Sequence, residues 1–367
     1  MSKNKDWRKY HEKAPHKPRM TSEEFAEWQE YKKQKKQGDV EETFSEFAKR
    51  REINKEEVTE IWHKGKHFSV KTKPKDNQVT YEQVKNDLIA QMNQHSPTYF
   101  KIKRDKLEDP HLLVIDIADL HINKHAEKEL TGEDYNSDIA IKRALEGTRG
   151  LLKKASGYNI ERIAFIIGND VLNTDTTSRT TTRGTQQDTD LHWFKAFQLA
   201  RKCYVACIEM CLSVADVAVI HCPSNHDFMS GCFLADSLKS WFRKSKNVAF
   251  DISPAYRKYY QYYSNMLEFE HGDKGKADNI PLLMAQERPQ MWAETKYRYA
   301  YWHHVHHQDK RQFRSGKDYI GANLTYLRSP SSADLWHSDE GYKSQVAVEA
   351  FIHSKYKGRV AHLTHYF

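Results

Sequence analysis

The sequence predicts an α/β protein with a small, mostly helical module at its N-terminus. Three apolar runs, at 111–121, 162–170 and 214–227, predict buried strands. Amphipathic segments at 137–155 and 191–212 lie between them and predict helices. Because layered α/β domains alternate buried strands with helices, this order indicates one such domain.

Composition limits the class of protein. The 367 residues suffice for one sizeable domain and a small one. A hydrophobic content of 38% and a mean hydropathy of −0.86 describe a polar, soluble chain. No apolar run approaches the roughly 20 residues of a membrane span. The charged start, MSKNKDWRKYHEK, lacks the apolar region of a secretory signal. We therefore expect a cytoplasmic protein.

The net charge of +8 is concentrated near the N-terminus. Residues 1–75 contain 20 Lys and Arg against 14 Asp and Glu, a net charge of +6. A basic segment favours a polyanionic partner, usually nucleic acid. A solvated, charge-rich helical surface would have the same composition, so charge alone leaves both interpretations open.

The chain divides into four predicted parts. They are a disordered basic tail at 1–20, a helical module at 21–75, a connector at 76–110 and a catalytic domain at 111–367. In the connector, we expect a helix at 80–94 and a basic strand at 99–104. Near the C-terminus, alternating residues at 344–353 predict a strand at a sheet edge, followed by a turn.

Two short predicted helices in the N-terminal module, 40–53 and 54–65, match a helix-turn-helix pattern. Val58 and Ile61 would face inward, but Glu52 stands where the turn usually has glycine. An ordinary helical hairpin fits equally well. A basic strand after these helices would form a wing, and its lysines would contact DNA phosphates. These lysines are Lys64, Lys66, Lys71 and Lys73.

The five cysteines predict no chemistry. Cys203, Cys207 and Cys211 recur every four residues, which places them on one face of a helix. Free cysteine is among the most buried residue types, so we interpret this stripe as core. Trp336, His337 and Tyr342 could line a cleft, although core packing explains them as well.

Carboxylate, imidazole and amide side chains follow each apolar run. Sites in α/β sheets form at the carboxyl ends of strands, so these groups should converge. Without a thiolate, they suit manganese, iron or zinc. Seven ligands drawn from these groups would be too many for one ion with an open position, and they suit two ions with a bridging carboxylate. The groups are Asp119 and His121; Asp170; Asn225, His226 and Asp227; His271; and His303, His304, His306 and His307.

The order D-x-H, G-x-D, N-H-D, H-G and H-x-H over about 112–320 resembles the signature of calcineurin-like metallophosphoesterases. This resemblance implies an αββα sandwich, in which two mixed β-sheets are flanked by helices. It also implies two divalent ions at the sheet edge and hydrolysis of phosphate esters.

The resemblance assigns a role to each matching residue. The first metal would be held by Asp119, His121 and His306. The second metal would be held by Asn225, His271 and His304. Asp170 would bridge both metals. The metals would make a bridging hydroxide available as the nucleophile. His226 would protonate the leaving oxygen as general acid, and Asp227 would orient His226.

Three positions depart from the family pattern. Asn169 is inserted before Asp170, which raises the question whether Asp170 reaches the site. Ser224 and His303 each replace a glycine. At His303 this predicts either an unusual backbone angle or a displaced loop. His307 lies beyond the motif and would be a neighbour of the site or exposed.

The substrate is the least determined feature. The basic module favours DNA, as does an insertion after Asp170 that carries Arg179 and Arg183, which we expect to bind substrate phosphates. The layout is also similar to phage and bacterial DNA-repair phosphoesterases. We therefore expect an exo- or endonuclease that acts as a homo-oligomer or with an ATPase subunit. The alternatives are a phosphoesterase for small nucleotides or phosphoproteins, and a DNA-binding protein with a scaffolding domain.

Overall fold

The computed structural model describes residues 97–303, 316–332 and 345–367, with part of 21–30 and two short strands before residue 73. The chain forms two compact units, Met1–Ile89 and Ala90–Phe367. Within the described part of the chain, no helix is both long enough and apolar enough to cross a membrane.

The first unit contains one strand pair among its described residues. Strand β1, Ile61–Lys64, pairs antiparallel with β2, Ser69–Thr72. The prediction that Ile61 faces inward from a helix is therefore wrong. Ile61 and Trp62 favour an extended backbone, and Trp62 pairs with Lys71 across the ladder.

Other predictions for this unit have mixed outcomes. The described residues between 22 and 30 are helical, as predicted. Lys64 and Lys71 lie on the two strands. The remaining predictions lie outside the described residues. They concern Lys66, Lys73, the tail at 1–20, the rest of the helix-turn-helix and the helix at 80–94.

The second unit combines eleven strands and six α-helices in its described residues. In chain order the elements are β3 His111–Asp116, α1 Lys128–Thr131, α2 Ser137–Lys154, β4 Ile160–Gly168, α3 Trp193–Leu212, β5 Asp216–Cys222, α4 Phe228–Trp241, β6 Val248–Asp251, β7 Lys258–Tyr262, β8 Asn265–Glu270, α5 Ile280–Glu287, α6 Pro289–Glu294, β9 Tyr297–Trp302, β10 Gly316–Tyr319, β11 Ala322–Tyr326, β12 Ala347–Ser354 and β13 Gly358–Tyr366.

Two mixed sheets form the centre of this unit. The six-stranded sheet has the order β13-β12-β3-β4-β5-β6, with β3 to β6 parallel and β12 antiparallel to both of its neighbours, β3 and β13. The five-stranded sheet has the order β10-β11-β9-β8-β7, with its three middle strands parallel. The predicted α/β class, two mixed sheets flanked by helices, is confirmed.

Three apolar layers follow from side-chain alternation along the strands. On β3, Leu113 and Ile115 pack with α2, α3 and α4, whereas Leu112 and Val114 pack between the two sheets. A third layer, around Met266, packs the five-stranded sheet against α5. Because β3 is buried on both faces, its four central residues, 112–115, are all apolar.

The cysteine prediction is confirmed. Cys203, Cys207 and Cys211 are buried on α3 as free thiols in the layer beneath the six-stranded sheet. Helix α2 begins as its sequence predicts, because the side chain of Asn136 accepts a hydrogen bond from the backbone N–H of Ile139 at 2.9 Å.

Two predictions near the ends of this unit are wrong. Strand β12 is not at an edge, because β3 and β13 pair with its two sides and bury it completely. Residues 99–104 form no strand. The backbone of Ile102 instead exchanges hydrogen bonds with the amide of Asn247, at 2.9 and 3.0 Å. Arg104 extends this attachment, with its Nε 2.9 Å from Asp216 Oδ1.

Candidate metal centre

The candidate site lies where three parallel strands end. Asp119 and His121 follow β3, Asp170 follows β4, and Asn225 and His226 follow β5. The backbones of the first two loops are joined by hydrogen bonds, from Asp119 N to Asn169 O at 2.7 Å and from His121 N to Asp170 O at 2.9 Å. The loops after β3 and β4, which carry three of the predicted ligands, are therefore adjacent in the structure.

Backbone strain is concentrated in these two loops. Asp119, His121, Asn169 and Asp170 all have positive φ, of 51°, 46°, 54° and 59°. A non-glycine residue in this conformation costs on the order of 1–3 kcal/mol, and such residues cluster at functional sites. The strained segments thus coincide with the segments singled out by the sequence.

The inserted Asn169 does not displace Asp170 from the site. Gly168 has a φ of 93°, and a Cβ there would lie 2.1 Å from the carbonyl oxygen of Cys222. Glycine therefore lets β4 approach β5 closely at the start of the turn. Asp170 Oδ1 then accepts a hydrogen bond from the backbone N–H of His226 at 2.9 Å. Its backbone N–H donates to Ser224 Oγ at 2.8 Å.

Two groups of potential ligands share Asp170. His121, Asp170 and His226 offer ligand atoms within 4.8 Å of one another, and so do Asp119, Asp170 and His271. Carboxylate and imidazole donors without thiolate suit manganese, iron or zinc. The donor set therefore fits two divalent cations.

The two groups combine residues predicted for different roles. Asp119, predicted for the first metal, is grouped with His271, predicted for the second. His226, predicted to transfer a proton, is grouped with His121, and the two rings lie 4.6 Å apart between centroids. Because two predicted ligands lie outside the described residues, the partition of ligands between the two metals stays a prediction. Asn225 lies beside His271, with its Oδ1 2.7 Å from His271 Nε2.

Asp170 and His271 shift each other's protonation. Burial alone would raise the pKa of Asp170, but the positive charges of His271, His226 and His121 outweigh it and hold this pKa well below its ordinary value. Burial alone would lower the pKa of His271, but Asp170, 3.1 Å away, and Asp119 raise it to about 9. The carboxylates of Asp170 and Asp119 therefore favour positive charge at this position, which His271 supplies as a proton.

The orientation of His226 is set by a backbone carbonyl. Its Nδ1 donates to the carbonyl oxygen of Asn173 at 3.1 Å, which leaves Nε2 as the atom that can exchange a proton. The prediction that Asp227 orients His226 is wrong. The Asp227 carboxylate instead accepts hydrogen bonds from Ser224 Oγ at 2.6 Å and from Leu172 N at 2.9 Å. Burial raises its pKa to about 7.

His303 is a buried structural residue. Its Nδ1 donates to the carbonyl oxygen of Glu270 at 2.9 Å and its Nε2 to Asp116 Oδ2 at 2.8 Å. Both ring nitrogens therefore carry protons, and the carboxylate of Asp116 outweighs burial and raises the pKa of His303. Of the two alternatives predicted for His303, the unusual backbone angle is excluded, because its φ is not positive. The displaced loop would involve residues after 303, which lie outside the described ranges, and stays a prediction.

Several predicted residues lie outside the described ranges. They are the ligands His304 and His306, their neighbour His307, and Trp336, His337 and Tyr342. Their roles stay predictions.

The predicted substrate-binding arginines occupy different positions. Arg179 is exposed on the insertion. The Arg183 side chain is 70% exposed, and its Nη2 lies 3.7 Å from Asp273 Oδ2 in the loop that follows His271. The insertion also contacts the site's rim, because Thr182 N donates to the carbonyl oxygen of Asn225 at 3.2 Å. Arg183 is therefore the better placed of the two.

Sequence reasoning missed four supporting groups. Asp116 is a carboxylate inside an apolar strand, and that anomaly could have identified it. Ser224 was seen only as a replaced glycine. The carbonyl of Asn173 has no side-chain signal. Asp175 accepts hydrogen bonds from the backbone N–H groups of Met229 and Ser230 at the start of α4.

Comparisons with known proteins give little further information. No family model and no curated protein matches the chain. Among solved structures, a crystal structure of a dimetal phosphatase from Danio rerio is similar, with a TM-score of 0.37 and 10% sequence identity. The match covers 71% of this chain and 99% of that one. A likeness this weak carries no argument about function, which must come from the site itself.

Proposed function

We propose that the protein is a two-metal phosphoesterase that hydrolyses phosphodiester bonds in nucleic acid. The observation that carries this proposal is the position of Asp170, which belongs to two groups of potential metal ligands at once. One carboxylate between two cations is the arrangement used to cleave phosphate esters.

The described ligands would be Asp119, His121, Asp170, Asn225 and His271, with His304 and His306 completing the set. Two cations held there would activate water and neutralise charge that develops on the phosphate oxygens. Manganese is our first choice, with iron and zinc as alternatives.

The chain itself would supply proton transfer and orientation. His226 would donate a proton from Nε2 to the leaving oxygen, since its Nδ1 is held by the carbonyl of Asn173. Arg183 would leave Asp273 for a phosphate oxygen of the substrate, which an exposed guanidinium can do at little cost.

Nucleic acid is favoured by charge and by the insertion. The excess of basic residues lies in residues 1–75, and Lys64 and Lys71 lie on a strand pair there. Such lysines would position the protein on phosphates without reading sequence. We therefore propose a DNA exo- or endonuclease of the DNA-repair type, and a phosphoesterase for small nucleotides or phosphoproteins is the second candidate.

One experiment separates these candidates. Purified protein is incubated with Mn²⁺ and, separately, with end-labelled single-stranded DNA, double-stranded DNA and bis-p-nitrophenyl phosphate. We expect bis-p-nitrophenyl phosphate and at least one form of DNA to be hydrolysed, with Asp170→Asn as the inactive control. Intact DNA beside hydrolysed bis-p-nitrophenyl phosphate would favour the small-substrate enzyme. Failure to cleave any of them with Mn²⁺, Fe²⁺ or Zn²⁺ would overturn the phosphodiesterase proposal.

A further inference from the structure

Exposed apolar side chains stand at the start of α4, directly after His226 and Asp227. Phe228, Met229 and Phe233 are 36%, 53% and 62% exposed. Neighbouring apolar side chains that stay exposed beside a candidate active site indicate a binding surface. We call these three residues, with Tyr256, Lys274 and Arg183, the aromatic rim.

One cation lies beside the rings, and a second lies beside Asp273, which accepts a hydrogen bond from Tyr256. Lys274 Nζ is 4.4 Å from the ring centroid of Tyr256 and 6.0 Å from that of Phe228. Arg183 is mostly exposed, while its partner Asp273 has a side chain only 5% exposed. Because the cations face solvent and the carboxylate is covered, this surface presents aromatic rings together with positive charge.

The rim is held in place by the loop that carries Arg183. The backbone N–H of Phe228 donates to Thr182 Oγ1 at 3.1 Å, and Thr182 Oγ1 donates in turn to Asp175 Oδ2 at 2.9 Å. Met229 N also donates to Asp175, at 3.1 Å. The backbone that carries Phe228 and Met229 is thus held in place next to His226. A ligand therefore binds without the entropy cost of ordering this segment.

We propose that the aromatic rim binds unpaired bases of a single-stranded nucleic acid whose phosphate occupies the Asp170 site. Bases of any sequence stack on aromatic side chains, while neighbouring cations contact the phosphates. Charge complementarity favours this occupant over an uncharged apolar partner. A paired duplex hides the faces of its bases and cannot stack on Phe228 in this way. The inference rests on the proposed function, since it names the form of substrate that the same site accepts.

The test compares two oligonucleotides that carry the same phosphates. Binding of a fluorescent eight-nucleotide oligothymidylate and of an abasic strand of equal length is measured by anisotropy. All proteins carry His226→Ala and are loaded with Mn²⁺, so that bound strands are not cleaved. We expect Phe228→Ala to weaken binding of the oligothymidylate about tenfold and binding of the abasic strand hardly at all. Phe228→Tyr should restore most of the affinity.

The outcomes separate this inference from the proposed function. Equal loss for both strands would show that Phe228 supports the fold or the charge rather than stacking, and would overturn the inference. So would unchanged binding of both strands, which would assign the rim to a protein or a membrane surface. If base-dependent loss is seen but the unmutated protein hydrolyses no phosphate ester, stacking stands and the phosphoesterase proposal fails.

Discussion

Two buried histidines in this protein have opposite electrostatic environments. His271 and His353 are both 0% exposed. The pKa of His271 is raised to about 9, whereas that of His353 is lowered to about 3 by burial, with a smaller contribution from the charge of Arg359. His353 lies between the sheets, where Tyr301 Oη donates to its Nε2 at 2.8 Å.

The difference lies in the neighbouring groups, because burial alone lowers the pKa of both rings. His271 lies between carboxylates on strained loops, whereas His353 lies among tyrosines in a packed core. The inter-sheet region is therefore built for stability. The region around Asp170 holds buried carboxylates that attract protons to the neighbouring imidazole, as expected of a site that binds cations.

The largest expected effect comes from replacing Asp170, the carboxylate that makes the surroundings of His271 differ from those of His353. Asp170→Asn should reduce hydrolysis of bis-p-nitrophenyl phosphate by about 10³-fold or more, because both ligand groups lose their shared member. In protein treated with EDTA, the pKa of His271 should fall from about 9, as followed by NMR titration. The exposed Asp188→Asn is the matched control. Retained activity would contradict the role of Asp170.

His226→Ala should have the next largest effect, since it removes the proton donor but leaves the other ligands. We expect kcat to fall by about 10²–10⁴-fold while the protein still binds two equivalents of metal, measured by elemental analysis. Exposed His125→Ala should change neither quantity. Unchanged turnover would refute the general acid, and loss of one metal equivalent would make His226 a ligand instead.

His303 is a third buried histidine, and its ring is doubly protonated and paired with the carboxylate of Asp116. His303→Asn should lower the free energy of unfolding by about 3–5 kcal/mol, since it leaves the carboxylate of Asp116 buried without its partner. The double variant Asp116→Asn, His303→Asn should recover part of this loss in denaturant unfolding. A double variant less stable than the single one would contradict the ion pair.

The effect that is smallest at neutral pH concerns acid stability. His353 stays neutral in the folded protein and gains a proton on unfolding. Its contribution is therefore fully present above pH 6.5 and is lost as pH falls toward about 3. Below pH 6.5, protonation of His353 in the unfolded chain should lower the free energy of unfolding by about 1.4 kcal/mol per pH unit. His353→Gln should abolish this decrease, as measured by denaturant unfolding. Exposed His125→Gln should leave the pH profile unchanged, and an unchanged profile for His353→Gln would contradict the neutral state.

The same linkage has the opposite sign at His271. Its raised pKa contributes stability that is fully present below pH 6.5 and is lost as pH rises through about 9. Unfolding of EDTA-treated protein across pH 7–10 measures this contribution. Two histidines of equal burial should therefore limit the stable pH range from opposite sides.

The sequence predicts the sheet layers and the convergence of Asp119, Asp170 and His271. Buried parallel strands have unmistakable apolar runs, and the residues after them meet at one edge. It does not predict that His303 pairs with Asp116, 187 positions away, because such contacts depend on how the two sheets stack. The carbonyl of Asn173 escapes prediction for another reason, since every residue has a carbonyl and only geometry selects one.

The dispersion of the site along the chain has a consequence for folding. Asp119 and His271 are 152 positions apart, and they meet only when β3 and β8 belong to completed, stacked sheets. Contacts between such distant residues form late, because closing long loops carries a large entropy cost. A fragment or a partly folded chain that contains only the parallel strands β3 to β5 holds only part of the site. Catalytic competence would therefore report the integrity of the whole domain, and early folding intermediates would be inert toward substrate.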